Sequence, residues 1–462
     1  MGAEPIRLRN RMSDLNQLRT DARAIFTHAL RACAVPAAFD RHIRFEGANL
    51  IRQSSPTPIS LDRYREILVI ALGKAALPMT ETLLSRLDQH LPARIPIHGV
   101  CSTPQLPTAP ALSIRYFTGG HPLPNSDSFE AAREALRLLR KAGSDTFVFF
   151  LISGGGSAMF ELPLDPAIAL EDTIAFHRAL VGSGATITEI NTVRKYFSAV
   201  KGGKLAHAAP HSDQLSLLIS DVPPQDVASI ASSPTLPDHS TPDQCREILD
   251  RFRLPEKFPP AVRQYFAQLH PNPPSAGAPG LAVETSEKTS VEVLLSNDDL
   301  VAAARDHALS LGYQVVIDNT YDDRDYRDAS AYLLRRFGEL RREHPRLCLL
   351  SGGEVTVRLG PTPGRGGRSQ QFALAAAFQL AQNSDALAAV LSAGSDGIDG
   401  NSPAAGAIVD PTTLARARSA GIDPEAALAR FDTYPLFAVL GDAILTGPTG
   451  NNLRDLRILL AL

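Results

Sequence analysis

Two hydrophobic rhythms alternate along the chain. Leu15, Leu18, Ala22, Ile25, Phe26, Ala29, Leu30 and Cys33 recur at helical spacing, which predicts an amphipathic helix laid on a larger body. Continuous apolar runs at residues 67–72, 146–152 and 214–219 predict strands covered on both faces. The first runs into Gly73-Lys74-Ala75-Ala76 and a helix extending to about Leu91, and helical stretches at 128–141 and 167–181 follow. Strand, tight turn and helix in repetition predict an α/β fold with an open, mostly parallel sheet. Prolines 255, 259, 260, 271, 273, 274 and 279, with Gly277 and Gly280, interrupt the rhythm. Beyond them it resumes with strands at 291–295, 313–317, 347–350 and 388–393 and helices at 300–311 and 327–343. The division expected is an N-terminal domain over 1–270, a proline-rich linker over 271–288 and a C-terminal domain over 289–462.

Two of these strands end alike. Residues 151–157 read Leu-Ile-Ser-Gly-Gly-Gly-Ser and residues 349–354 read Leu-Leu-Ser-Gly-Gly-Glu, so each α/β domain carries a glycine-rich strand end, where ligands of such sheets bind. After the second, a hairpin-like segment leads to Gly364-Arg365-Gly366-Gly367-Arg368 and a helix beginning near Ser369. Glycines that let amides converge, arginines and a positive helix end outline an anion seat, with Gly366 and Gly367 as its backbone; a glycine-rich surface turn is the plain alternative. The Ser153-Gly154-Gly155-Gly156-Ser157 turn is either a second backbone nest for an oxyanion or a tight βα turn without a ligand.

Composition narrows the chemistry. The 462 residues carry a net charge of -3, with no global basic field to draw nucleic acid or an anionic membrane, and no apolar run of membrane-spanning length. Cys33, Cys101, Cys245 and Cys348 are scattered without zinc spacing and read as reduced thiols of a cytoplasmic protein. Arginine supplies most of the 46 basic residues, and among the few lysines Lys74, Lys201 and Lys204 each adjoin a glycine. No GxxxxGK[ST] occurs, and no GxGxxG follows a strand and opens a helix.

Lys74, at the end of a buried strand, is placed to neutralise a carboxylate or phosphoryl oxygen; otherwise it is a solvated first-turn lysine. Asp221 follows a strand directly and could take a hydroxyl proton, hold a divalent ion or form an Asx turn. Arg194, Lys195, Lys201 and Lys204 gather four cations in eleven residues, read as a phosphate contact or a solvated helix face. Asp396 and Asp399 lie in a glycine turn that resembles a metal loop or a plain polar turn. His121 reads as a loop residue near any substrate. No cysteine or histidine nucleophile has an evident partner, and the inventory suits phosphoryl transfer, which depends on positioning and charge neutralisation.

These motifs resemble a known family. Ser-Gly-Gly-Gly-Ser-Ala at 153–158, Asn-Thr-Val-Arg-Lys at 191–195, Lys-Gly-Gly-Lys-Leu-Ala at 201–206, Ile-Ser-Asp-Val-Pro at 219–223, Gly-Arg-Gly-Gly-Arg-Ser-Gln at 364–370 and Thr-Gly-Pro-Thr-Gly at 446–450 are similar, in this order, to the class II glycerate 2-kinases, whose C-terminal part is the MOFRL domain. The resemblance implies a Rossmann-like N-terminal domain, a C-terminal α/β domain, an active site in the cleft between them, and transfer of the ATP γ-phosphoryl group to the 2-hydroxyl of D-glycerate with Mg2+. It implies Lys74 and Arg368 as catalytic cations, Asp221 as the group that orients or deprotonates the hydroxyl, and the turn at 153–157 as a binder of ligand oxygens. Asp221, Glu354 and Asp396 are the expected metal ligands, and a homodimer stays among the open assemblies. The chain departs from the family at Ser369 and Gln371, where Asn and Glu are usual, at Ser233 for Gly, and at Pro403, near which an acidic residue is usual. A hydroxypyruvate reductase-like oxidoreductase and a non-catalytic sugar-acid or nucleotide sensor are the alternatives.

Overall fold

The computed structural model describes residues 3–222, 229–269, 289–320, 322–360, 362–383 and 387–462. The proline-rich linker and Pro223 therefore lie outside the described residues. Contacts divide the chain into two compact units, Val35–Leu294 and a second made of Met1–Ala34 with Leu295–Leu462.

In the first unit a small antiparallel sheet, β1 (Ile43–Glu46), β2 (Asn49–Arg52) and β3 (Ser55–Ser60), precedes the main one. The main sheet contains β4 (Glu66–Leu72), β5 (Ile97–Thr103), β6 (Ile114–Thr118), β7 (Thr146–Ser153), β8 (Asp213–Ile219) and β9 (Thr289–Leu295) in the order β6-β5-β4-β7-β8-β9. From β6 to β8 every neighbouring pair is parallel. Such sheets are buried on both faces, which is why β7 reads Thr-Phe-Val-Phe-Phe-Leu-Ile-Ser with all positions covered. Leu68, Ile70 and Leu72 of β4 and Val148, Phe150 and Ile152 of β7 form one core with Ala131, Ala132 and Ala135 of helix Ser126–Leu139. A second, aromatic cluster of Phe176, Phe197, Phe258 and Phe266 joins the later helices. The expected Rossmann-like arrangement is present: the strand order reverses between β4 and β7, and a doubly wound sheet binds ligands at the carboxyl ends of the strands at that point.

The second unit has a mixed sheet of β10 (Gln314–Ile317), β11 (Leu347–Gly352), β12 (Ala388–Gly394), β13 (Gly406–Val409), β14 (Ala443–Ile444) and β15 (Asp455–Ala461), ordered β10-β11-β15-β12-β13-β14. The last strand of the chain enters between β11 and β12, antiparallel to both, and is buried along its whole length. The hairpin expected after Gly353 does not form among the described residues, where the only pairing before Arg368 is an isolated bridge from Thr356 to Asp325.

The units depart from the sequence division in two places. Helix Ala3–Ala32 packs with the second unit, against helix Asn297–Ser310, β12 and β15, burying Leu18, Ala22, Ile25, Phe26 and Ala29. Strand β9, expected to open the C-terminal domain, instead joins the first unit's sheet beside β8. Hydrophobic spacing showed that the first helix has a partner, but nothing local specifies which sheet provides it. Phe26→Ala should cost about 3–5 kcal/mol, and limited proteolysis should then release fragments of Leu295–Leu462 before those of Val35–Leu294. Cleavage confined to the latter unit would contradict this division.

Candidate active site

At the strand-order reversal two turns meet: Gly73-Lys74 after β4 and Ser153-Gly154-Gly155 after β7. Gly73 has φ +109, and a Cβ added there would lie 2.4 Å from the Ser153 carbonyl oxygen, so only glycine permits the approach. The Lys74 amide donates to the Gly154 carbonyl at 2.8 Å, and the Ala75 amide donates to Ser153 Oγ at 2.9 Å. Glycines across the turn make room for three functional side chains. A Cβ on Gly154 would come within 1.8 Å of Asp221 Oδ2; one on Gly155 would sit 3.2 Å from Lys74 Cγ and 3.3 Å from His121 Cδ2. Lys74, His121 and Asp221, distant in sequence, therefore line one turn. No acceptor for the amides of Gly154 and Gly155 is found among the described residues, which suits a backbone nest.

The far side of the turn is held by a strained segment. Ala231, Ser232 and Ser233 are consecutive left-handed residues with φ +49, +60 and +59, although none is glycine. Ala231 packs against Gly156, and Ser232 Oγ lies 2.7 Å from Ser157 Oγ and donates to Asn191 Oδ1 at 2.8 Å. The carbonyls of Ser232 and Ser233 accept from the Gly202 and Gly203 amides at 3.1 and 2.7 Å. Ser233 thus holds a left-handed backbone that glycine adopts more readily.

The cation cluster is not a solvated face, and Lys201 is not available to a phosphate. Lys201 is 1% exposed and its Nζ lies 2.6 Å from Glu161, whose carboxylate also meets His177 Nε2 at 2.9 Å. Burial opposes ionisation of Glu161, but Lys201 and His177 outweigh it and hold the carboxyl down at about 2. Burial lowers His177 to about 4 despite Glu161, leaving the ring neutral. Lys195 pairs with Asp238 at 3.1 Å, and Lys204 donates to the Lys195 and Lys201 carbonyls. Arg194 is buried, with Nη1 3.4 Å from Asn191 Oδ1.

The glycine motif of the second unit looks most like an anion seat in sequence, but oxygens of the protein itself fill it. The Ser369 and Gln370 amides, which open helix Arg368–Leu380, donate to Asp399 at 3.0 and 2.9 Å, and a Cβ on Gly367 would collide with that carboxylate. The Gly352, Gly353 and Glu354 amides donate to Asn319 Oδ1, the Asp455 carbonyl and Asp322 Oδ1. Gly366 donates to Asn401 Oδ1. Arg368 is gripped by Asp455 at 2.8 Å and by Glu354 at 2.6 Å. Burial, reinforced by Asp455, raises Glu354 and Asp399 to about 7 each, against the opposing Arg368 and amide contacts respectively.

Among the described residues no group of three histidine, cysteine or carboxylate side chains could hold a metal ion. Of the expected ligands Asp221, Glu354 and Asp396, Glu354 spends its oxygens on Arg368, and Asp396 Oδ1 accepts from the Ile398 amide. Of the family departures, Gln371 turns into the core and donates to the Leu428 carbonyl, so the change from Glu removes a buried charge. Pro403 is exposed, and nothing in the structure explains it.

The geometry defines a doubly wound α/β protein with a polar glycine turn at its switch point. Residues 21–267 match the model of a domain of unknown function, DUF4147, and residues 347–455 match the MOFRL family. The chain is 36% identical to the glycerate 2-kinase of Pyrococcus horikoshii, covering 85% of this chain and 87% of that one. It is 37% identical to a provisionally named hydroxypyruvate reductase of Agrobacterium vitis, covering 85% and 98%. The crystal structure of glycerate kinase from Thermotoga maritima superposes with a TM-score of 0.80 at 30% identity, covering 97% and 100%. This chain belongs to the glycerate 2-kinase family.

Two predictions follow from the geometry. Gly154→Ala should leave the fold intact, since the obstructed atoms are the end of a side chain, yet displace Asp221 and lower kcat at least about 100-fold; unchanged kcat would remove Asp221 from the site. The folded chain keeps the Glu354 proton up to about pH 7 and the unfolded chain only to about 4.5, so folding binds protons between these values and stability falls as pH rises through them. Glu354→Gln should gain on the wild type by on the order of 1–3 kcal/mol between pH 5 and 8 in urea unfolding. Parallel curves would contradict the shift.

Proposed function

We propose that this protein is an ATP-dependent glycerate 2-kinase, forming 2-phospho-D-glycerate and ADP. The observation that carries the reading is the convergence of Lys74, His121 and Asp221 on the Ser153–Gly155 turn at the strand-order reversal. Asp221 orients the 2-hydroxyl and accepts its proton while the hydroxyl oxygen bonds to the γ-phosphorus and the bridge to the β-phosphate breaks. The Lys74 ammonium neutralises the transferring phosphoryl oxygens, and the Gly154 and Gly155 amides receive anionic oxygen. Arg368, the other cation that the family resemblance implies, is held within the second unit by Asp455 and Glu354.

A closed protein cage for Mg2+ is absent among the described residues, but an ion carried on nucleotide phosphates needs only one or two carboxylates. The carboxylate of Asp221, lying against Gly154, suits that mode. When bound, Mg2+ supplies charge neutralisation on the phosphates. No described helix is long and apolar enough to cross a membrane, and a cytoplasmic location suits the four buried free cysteines. The reductase reading finds no support at the first βα turn, where Gly73-Lys74-Ala75-Ala76 lacks the glycine spacing of a dinucleotide fingerprint.

The test is incubation with D-glycerate and Mg-ATP, coupled to enolase without phosphoglycerate mutase. Phosphoenolpyruvate should appear directly, and Lys74→Ala should lower kcat at least about 100-fold with the fold retained. Product only after mutase addition would reassign the acceptor to the 3-hydroxyl; NADH oxidation with hydroxypyruvate and no phosphorylation would favour the reductase.

A further inference from the structure

Arg194 poses a problem that the mechanism above does not use. It lies on helix Ile187–Phe197, is 7% exposed, and its buried Nε has no hydrogen-bond partner. A guanidinium offers five donors, and the hydrogen bond recorded for this one is a single long one, 3.4 Å to Asn191 Oδ1. No carboxylate among the described residues forms an ion pair with it. Glu161 is near enough to feel its charge, but that carboxylate is already taken by Lys201 at 2.6 Å, His177 at 2.9 Å and the Leu162 amide at 2.9 Å. Burial disfavours the charged form of Arg194. Among the described residues the cluster formally holds four cations, Arg194, Lys195, Lys201 and Lys204, against two carboxylates, Glu161 and Asp238. A buried arginine left in this state is costly unless an anion completes it.

The side chains beside Arg194 lead to the reaction site. Asn191 Oδ1 accepts from both Arg194 and Ser232, and Ser232 Oγ meets Ser157 Oγ at the end of the turn that carries Asp221 at Gly154. Glycerate has its carboxylate on the carbon that bears the reacting 2-hydroxyl. Its anion must therefore lie along this turn next to the hydroxyl that Asp221 receives, and the side chains of Ser157, Ser232 and Asn191 lead from the turn to Arg194.

We propose that Arg194 is the carboxylate anchor of the acceptor, with Asn191 orienting the guanidinium. The site thereby selects small 2-hydroxy carboxylates over neutral polyols. This inference rests on the glycerate kinase reading, deepening it by naming the group that recognises the acceptor's charge. Lys74 then serves the phosphoryl group, and recognition and transfer use separate cations.

The test compares D-glycerate with its uncharged amide as acceptors for the full-length protein at saturating ATP. In Arg194→Gln the KM for D-glycerate should rise at least about 30-fold, the loss of a charge-assisted contact, while the KM for ATP and for glyceramide and the kcat stay within about threefold. Arg194→Lys should recover part of the glycerate KM. An unchanged glycerate KM, or a parallel rise for both acceptors, overturns the anchor. Should Arg194→Gln fail to fold, Asn191→Asp gives the same comparison, because its new carboxylate would pair with Arg194 and repel the substrate. Calorimetric binding of D-glycerate and glycolate separates this inference from the function it rests on. Binding by the wild type that Arg194→Gln loses supports the anchor even if no kinase turnover is found; no binding of either carboxylate to the wild type overturns it.

Discussion

The close approach of Gly73 to Ser153 is the constraint on which the site depends. Two parallel strands at the middle of a doubly wound sheet must end side by side, and their following turns must share the space above the sheet. Removing the Cβ at Gly73 lets the Ser153 carbonyl and hydroxyl come in, and the Ala75 amide then fastens the two turns together through Ser153 Oγ. With that contact made, Gly154 and Gly155 lie where Asp221, Lys74 and His121 reach them. The chemistry follows from backbone closeness that glycine alone permits.

The two glycine motifs of this chain show opposite uses of the same residue. At 153–157 glycines make space for side chains from three other segments, and two of the amides have no internal acceptor among the described residues. At 352–354 and 366–370 the amides are consumed by Asn319, Asp322, Asp399, Asn401 and the Asp455 carbonyl. There the glycines build a rigid mount that holds Arg368 between two carboxylates. Like motifs at strand ends predict like local geometry and say nothing of whether the seat is already taken.

The legible parts of the sequence were those written locally. Buried parallel strands announce themselves as apolar runs, so β4, β7, β8, β11 and β12 were readable, as was the strand-turn-helix rhythm that implies the Rossmann-like order. The short strands β1, β2, β3, β13 and β14 carry no such signal. Candidate residues adjoining a strand end that meet at one turn, Lys74, Ser153 and Asp221, were readable for the same reason. The fate of Lys201 was not: a lysine followed by two glycines looks exposed until Glu161, forty residues earlier, is brought to it by the fold. The left-handed backbone of Ser232 is invisible in a serine. Asp399, read as a metal or turn carboxylate, became a helix cap because the loop after β12 returns to the start of the helix at Arg368.

The turn at 153–157 is the proposed seat of the acceptor. The most direct measurement is a crystal structure of the protein with D-glycerate and a non-hydrolysable ATP analogue. It should show the acceptor on Gly154–Ser157, its 2-hydroxyl within hydrogen-bond distance of Asp221, and an analogue phosphate oxygen on Lys74. Acceptor density on the Asp399 and Arg368 side, with the turn at 153–157 empty, would contradict it.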